Sequence, residues 1–282
     1  MSNALFLFRF HCKEPASDYA GLPTFHYRPG IFVHTLERVK AFTEETGIPS
    51  HFVCIADNST PALVNRCEDK MYSILPNTSS IIRTNCIENI FNAKFPNHAE
   101  RQLEDGTITN KWMHTTFTFY VTSMQEIKRR ANENTIVFFC ESDYLYSEDA
   151  LTKGFYMAKE FTNDFVTLYE HPGFYTVTTE QIQTLYPNFR PEIITKYNHN
   201  WSRVTSTCLT FIGSMIAINK YPNLFLDCEA DWGDSALWSN IINDGNSKLW
   251  MPVPSLVYHT FSHNMSCDNW INLEQSMLEK GV

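Results

Sequence analysis

The sequence contains no CxxC pair, although it has eight cysteines. Their positions (12, 54, 67, 86, 140, 208, 228 and 267) repeat no spacing, which argues against a zinc ribbon and a disulfide framework. Cys54 and Cys140 lie inside apolar runs and read as buried free thiols, a usage that suits a reducing compartment. Basic charge is also scarce: 22 Lys and Arg stand against 31 Asp and Glu, a net charge of −9. Nucleic acid or an anionic membrane as the main partner would demand a concentrated basic surface, so neither is expected. An anionic substrate then needs a local remedy, such as a metal ion. No transmembrane segment is apparent, and the opening LFLFRFH is too short and wrongly flanked for a signal peptide. The sequons at Asn58, Asn77, Asn200 and Asn264 are accordingly read as chance matches, and the expected location is cytoplasmic. Repeats, low-complexity tracts and Gly/Ser linkers are missing too.

What is present is core-forming material. With 43% hydrophobic and 14% aromatic residues, the 282-residue chain can bury a sizeable core. Runs rich in β-branched and aromatic residues predict strands over 5–10, 51–57, 135–141, 165–170 and 208–218. Helical spacing of apolar residues predicts helices over 31–45, 115–130 and 234–242, the second ending in the basic turn QEIKRR. Strands alternating with amphipathic helices predict an α/β fold, a mostly parallel central sheet flanked by helices. Ligands of such sheets bind beyond the carboxyl ends of the strands. We expect one domain over 1–282, with its C-terminal part, including loops over 251–269, folded back on the same sheet. The polar, weakly periodic segment 96–114 is expected to be a mobile loop near the substrate.

Five constellations could carry chemistry. Asp57 in IADNST follows the second strand, where Asp, Asn, Ser and Thr are also ordinary turn residues. Glu141-Ser142-Asp143 ends the third strand. Residues two apart on an extended segment project to one side, so both carboxylates could face one point, an oxygen geometry that hard divalent cations want; the plainer alternative is a solvated strand end. Glu148 and Asp149 read as the acidic first turn of a helix capped by Ser147. In LDCEADWGDSALWSNIIN (226–243) the carboxylates at 229, 231 and 234 gather at the start of a helix, where the helix dipole favours anions and where a general base could also sit. YHTFSHN (258–264) offers His259 and His263, four apart on a loop rather than a helix. Arg28-Pro29-Gly30 opens the first helix and could hold an anion through backbone N–H groups, without the lysine and glycine spacing of a P-loop.

In this order the pieces resemble a nucleotide-sugar glycosyltransferase of the GT-A fold, similar to glycosyltransferase family 2. The resemblance spans roughly residues 5 to 265. It implies that Asp57 contacts the nucleoside and that Glu141 and Asp143 are the carboxylates of a DXD-type motif holding Mn²⁺ or Mg²⁺. GDSALWSNI (233–241) is similar to the start of the helix that supplies the base, so Asp234 implies that base, with Asp231 as its alternative. His259 or His263 would complete the metal shell. Arg28, Ser142 and Arg83 of IIRTNCIENI (81–90) would contact the donor. Residues 5–145 would then form the nucleotide-binding part and 146–282 the acceptor and catalytic part. The implied activity is metal-dependent transfer of a sugar from a nucleoside diphosphate sugar to a hydroxyl of a glycan or similar acceptor, with inversion. Alternatives are a nucleotidyltransferase that makes nucleotide sugars and a non-catalytic glycan- or protein-binding domain on the same fold.

Overall fold

A computed structural model describes residues 2–10, 28–57, 59–84, 110–171, 178–208, 210–222 and 233–260. Its centre is made by three strands whose residues are apolar on both faces: β1 (Asn3–Phe10), β2 (Ser50–Asp57) and β4 (Thr135–Glu141). Because side chains alternate across a strand, each contributes to two separate cores. Phe6, Phe8, Phe52, Cys54, Phe138 and Cys140 face one side. There they pack against α1 (Arg28–Thr46) and α2 (Pro61–Ile74). Leu5, Leu7, Val53, Ile55, Val137 and Phe139 face the other. That side is covered by α3 (Asn110–Arg130), α6 (Met215–Lys220) and α7 (Gly233–Asp244). Stacked rings mark both faces, Phe6 on Phe138 at 4.4 Å and Phe139 on Phe211 at 4.5 Å between centroids.

The remaining elements are β3 (Ser79–Thr84), β5 (Tyr144–Tyr146), α4 (Ala150–Glu160), β6 (Phe165–Thr167) and α5 (Thr179–Leu185). They are followed by β7 (Ile193–Lys196), β8 (His199–Val204), β9 (Phe211–Ser214), β10 (Leu249–Val253) and β11 (Val257–His259). Among the described residues nine strands form one sheet in the order β3-β2-β1-β4-β9-β6-β10-β8-β7, and β11 pairs with β5 in a separate ribbon. Following the pairings outward from β1, seven strands point one way and only β9 and β8 run against them. The sheet is therefore mostly parallel, as the alternation of strands and helices predicted. The chain steps from β1 to β2 to β3 and then returns to the other side of β1 as β4. In doubly wound sheets ligands bind beyond the carboxyl ends of the strands that flank such a reversal, here β1 and β4.

Several boundaries differ from expectation, each for a local reason. The apolar run 208–218 divides: Phe211–Ser214 is strand and Met215–Lys220 is helix. Ser214 causes the change, its hydroxyl accepting the Ala217 N–H at 3.1 Å as an N-cap. The strand predicted over 165–170 ends at Thr167. Helix α4 starts at Ala150 with Asp149 as N-cap, not at Ser147, whose hydroxyl donates to Asp149 Oδ1. Of the segment 96–114, residues 110–114 are in α3, and the rest of that expectation lies outside the described residues. No helix among the described residues is long and apolar enough to cross a membrane.

The strand β9 is wedged between β4 and β6 at a point that needs glycine. A Cβ on Gly213 would lie 2.9 and 3.0 Å from ring carbons of Phe165 and 3.2 Å from Ile218 Cγ1. The Phe165 ring is itself held by Phe211, Tyr221 and Trp238. Gly213→Ala is expected to destabilise the fold by about 1–3 kcal/mol through overpacking, read as a lowered midpoint in urea unfolding.

Candidate functional site

The candidate crevice is the carboxyl edge where three neighbouring strands, β2, β1 and β4, end side by side. Arg9 stands opposite Ile55 on β2 and opposite Glu141 on β4. Arg9 Nη1 donates to Glu141 Oε1 at 3.0 Å, and the two side chains are 11% and 15% exposed. Asp57 closes β2 two residues after Ile55 and is fully buried, with Thr84 of β3 beside it. By alternation Arg9, Asp57 and Glu141 all belong to the α3 and α7 side of the sheet. Ser59 binds the strand ends together, its Oγ donating at 3.2 Å to the carbonyl of Phe10 or of Asp57. Burying a carboxylate at zero exposure is costly, which sets Asp57 apart from an ordinary solvated strand end.

A second pair of groups meets beside the first. After Glu141 the chain turns at Ser142-Asp143 and continues as β5. The two carboxylates therefore do not alternate along one extended strand: Glu141 goes to Arg9, while Asp143 goes to the ribbon formed by β5 and β11. In that ribbon His259 lies opposite Tyr144, and Thr260 donates through its N–H and its hydroxyl to the Asp143 carbonyl, at 2.9 and 3.1 Å. Asp143 Oδ2 and His259 Nε2 are 3.6 Å apart, with the side chains 16% and 20% exposed. That separation exceeds a hydrogen bond. The ribbon is anchored from behind by His34 of α1, whose Nε2 accepts the Tyr146 N–H at 3.1 Å.

Aromatic rings wall this pair. The His259 ring lies 4.7 Å from Tyr144 and 5.5 Å from Tyr169, and Tyr169 is in turn edge-on to His171 at 5.7 Å. Burial pushes the Tyr144 phenol well above its usual range, and Cys208, Glu141 and Asp143 add to the shift. Tyr144 is thus a neutral ring at physiological pH rather than an acid or base.

The other sequence candidates fall in different places. Ser142 is buried at the turn between the carboxylates. Arg83 stands on the edge strand β3, one strand beyond β2, and pairs with Glu68 of α2. Arg28 is the first residue of α1, and Asp234 is the second of α7, one helical turn before Trp238. Trp238 packs on Phe211, which is opposite Phe139, two residues before Glu141, so the start of α7 is directed toward the crevice edge. The Arg28 and Asp234 side chains, with Asp231 and His263 entirely, lie outside the described residues. Sequence reasoning passed over Arg9, although one arginine inside the apolar run LFLFRF, next to the chain's first strand end, was a signal for it. A cavity of about 840 Å³ beside Tyr221, Asn240 and Asp244 lies at the opposite, amino end of β6 and β10 and contains none of these groups.

Among the described residues no cluster of three or more His, Cys, Asp or Glu could hold a metal ion by itself. Asp143 and His259 offer one oxygen and one nitrogen donor. The carboxylate suits Mg²⁺ or Mn²⁺ bound in the manner of nucleotide enzymes, where one or two side chains suffice and substrate phosphate and water complete the shell, and the imidazole favours Mn²⁺ over Mg²⁺.

No family model matches the chain, and no curated protein matches it by sequence. Solved structures with a similar arrangement include the galactosyltransferase LgtC in complex with donor and acceptor sugar analogues. It is 10% identical, with a TM-score of 0.47 over 87% of this chain and 72% of that one. The bifunctional glycosyltransferase WbbM is 10% identical, with a TM-score of 0.46 over 88% of this chain and 38% of that one. Mouse xyloside xylosyltransferase 1 is 12% identical, with a TM-score of 0.40 over 100% and 93%. At TM-scores below 0.5 these likenesses carry no functional weight.

The thiols around the crevice give an independent check on its packing. Burial pushes Cys140 up to about 12 and holds Cys54 well above the usual thiol range. Cys67 is buried as well, whereas Cys208, beside Tyr144, is partly exposed. In native protein, iodoacetamide is expected to modify Cys208 before Cys54, Cys67 or Cys140, the order being read by peptide mass spectrometry. Prompt labelling of Cys140 would contradict the packing of β4.

Proposed function

We propose that the protein is a metal-dependent glycosyltransferase that moves a sugar from a nucleoside diphosphate to a hydroxyl of a glycan or similar acceptor. The observation that carries this reading is the meeting of Asp143 and His259 at the crevice, beside Glu141 and at the point where the strand order reverses. Residues 116 positions apart in the chain are brought within 3.6 Å at the edge where sheets of this kind bind ligands. Asp143 and His259 are the groups that would hold Mn²⁺ or Mg²⁺. When bound, such an ion supplies charge neutralisation at a departing diphosphate.

The remaining roles follow the chain's own groups. Asp57 accepts hydrogen bonds from the nucleoside, with Ser142, Arg28 and Arg83 as further donor contacts. Asp234, at the start of α7, takes the proton of the acceptor hydroxyl as that oxygen attacks the anomeric carbon, and the nucleoside diphosphate leaves from the opposite face. One displacement inverts the anomeric configuration. Asp231 is the alternative base and His263 the alternative late histidine. In this scheme 5–145 binds the donor and 146–282 brings acceptor and base, within one domain.

Two experiments test the reading. A thermal-shift panel of nucleoside diphosphates with and without Mn²⁺ is expected to show stabilisation when both are present, and indifference to every nucleotide would remove the function. Asp143→Ala should abolish the metal-dependent part of that shift while leaving the ligand-free melting temperature near wild type, because the side chain contributes to the crevice rather than to either core.

For the base, Asp234→Asn should leave donor affinity intact and lower kcat by roughly two to four orders of magnitude, the usual worth of positioned proton transfer. Asp231→Asn is measured in parallel, and a loss confined to that variant moves the role to Asp231. A product with retained anomeric configuration rules out the single displacement for both.

A further inference from the structure

The proposed reaction leaves a problem of charge. The crevice gathers Asp57, Glu141 and Asp143, the chain carries a net charge of −9, and a donor diphosphate is itself an anion. Between the strands that end in these carboxylates stands a cation, Arg9. We propose that Arg9, oriented by Glu141, binds the diphosphate of the donor directly, an inference that rests on the transferase reading above.

Three observations carry it. On the odd-numbered face of β1, Arg9 follows the buried Leu5 and Leu7, so apolar packing alone would have continued the series with another aliphatic side chain. It is instead an arginine at 11% exposure, paired with Glu141 at 3.0 Å. A half-buried ion pair at such a place is weak evidence for stability, since well-packed apolar residues usually do as well or better there. Its position is at the carboxyl end of β1, at the reversal of strand order, where the phosphate of a ligand is expected in this architecture. A guanidinium presents five N–H donors in a rigid plane, so one side chain can hold a carboxylate and a phosphate at once. Glu141 is then the partner that fixes the fork, while Asp143 and His259 serve the metal. The division explains why the chain turns between Glu141 and Asp143, sending the two carboxylates to different partners.

The consequence is affinity for diphosphate that does not require metal. Calorimetric titrations in EDTA, with UDP, GDP and inorganic pyrophosphate as probes, are expected to show binding to the wild type that is weaker than with Mn²⁺ and weakens further with salt. Arg9→Met should lower the metal-free affinity about ten- to a hundredfold, the range of a charge-assisted contact, and Arg9→Lys should recover part of it. Because Arg9→Met leaves Glu141 without its arginine, the double variant Arg9→Met/Glu141→Gln is included. It should melt near the wild-type temperature and bind as weakly as the single variant.

Equal metal-free affinity in wild type and Arg9→Met, or wild-type affinity in the double variant, overturns the assignment and leaves the transferase reading standing. Wild-type binding that vanishes entirely in EDTA overturns it as well. Failure of every probe to bind the wild type, with or without Mn²⁺, refutes the transferase reading and this inference together.

Discussion

The rest of the molecule depends on one constraint: β1, β2 and β4 are buried on both faces. A strand in that position has no solvated side on which to carry polar groups, and an unpaired charge within it would cost several kcal/mol. Its apolar side chains are therefore continuous, helices must cover both faces, and polar chemistry is confined to the places where strands end. Arg9, Asp57 and Glu141 are the first charged residues that β1, β2 and β4 each reach on the α3 and α7 side. Their convergence is a product of the register, which sets Arg9 opposite Glu141 and Ile55 in the same row.

The second half of the crevice is made differently. Asp143 and His259 belong to no strand of the large sheet; they lie at one end of a ribbon in which only three residue pairs are matched. So small a ribbon is not stable by itself in water. It is fixed from outside, by His34 on α1 and by Leu256, whose N–H donates to the Leu168 carbonyl at the end of β6. One side of the site thus takes its rigidity from a sheet and the other from tethers.

Legibility in the sequence followed the same division. The buried strands could be read because a short apolar run bounded by polar residues has few other interpretations, and 51–57 and 135–141 agree with β2 and β4 within a residue. The run 208–218 could not be divided from hydrophobicity alone, because an apolar stretch is compatible with a strand or a buried helix; the hydroxyl of Ser214, not the pattern, decides where one becomes the other. The edge strands β3 and β7 went unrecognised, since a strand half-covered by neighbours carries mixed residues such as the exposed Ile193 and Arg83, and β8 beside β7 was missed with it. In the site, the acidic and histidine residues were visible as types, but their pairing was not. Alternation suggested Glu141 with Asp143. A turn of two residues, which no periodicity announces, gave Glu141 to Arg9 and Asp143 to His259.

The reversed strand β9 has a consequence for how the chain is made. It supplies the hydrogen-bonding partner of β4 on one side and of β6 on the other, yet it comes from residues 211–214. During synthesis, the four strands β3-β2-β1-β4 can assemble once residue 141 has emerged, but the outer edge of β4 then has no neighbour until some seventy residues later. That edge is long, apolar on both faces and without proline, the kind that pairs with other chains. The nascent protein therefore passes through an interval in which its most hydrophobic strand is an open template, and slow translation between β4 and β9 lengthens that exposure.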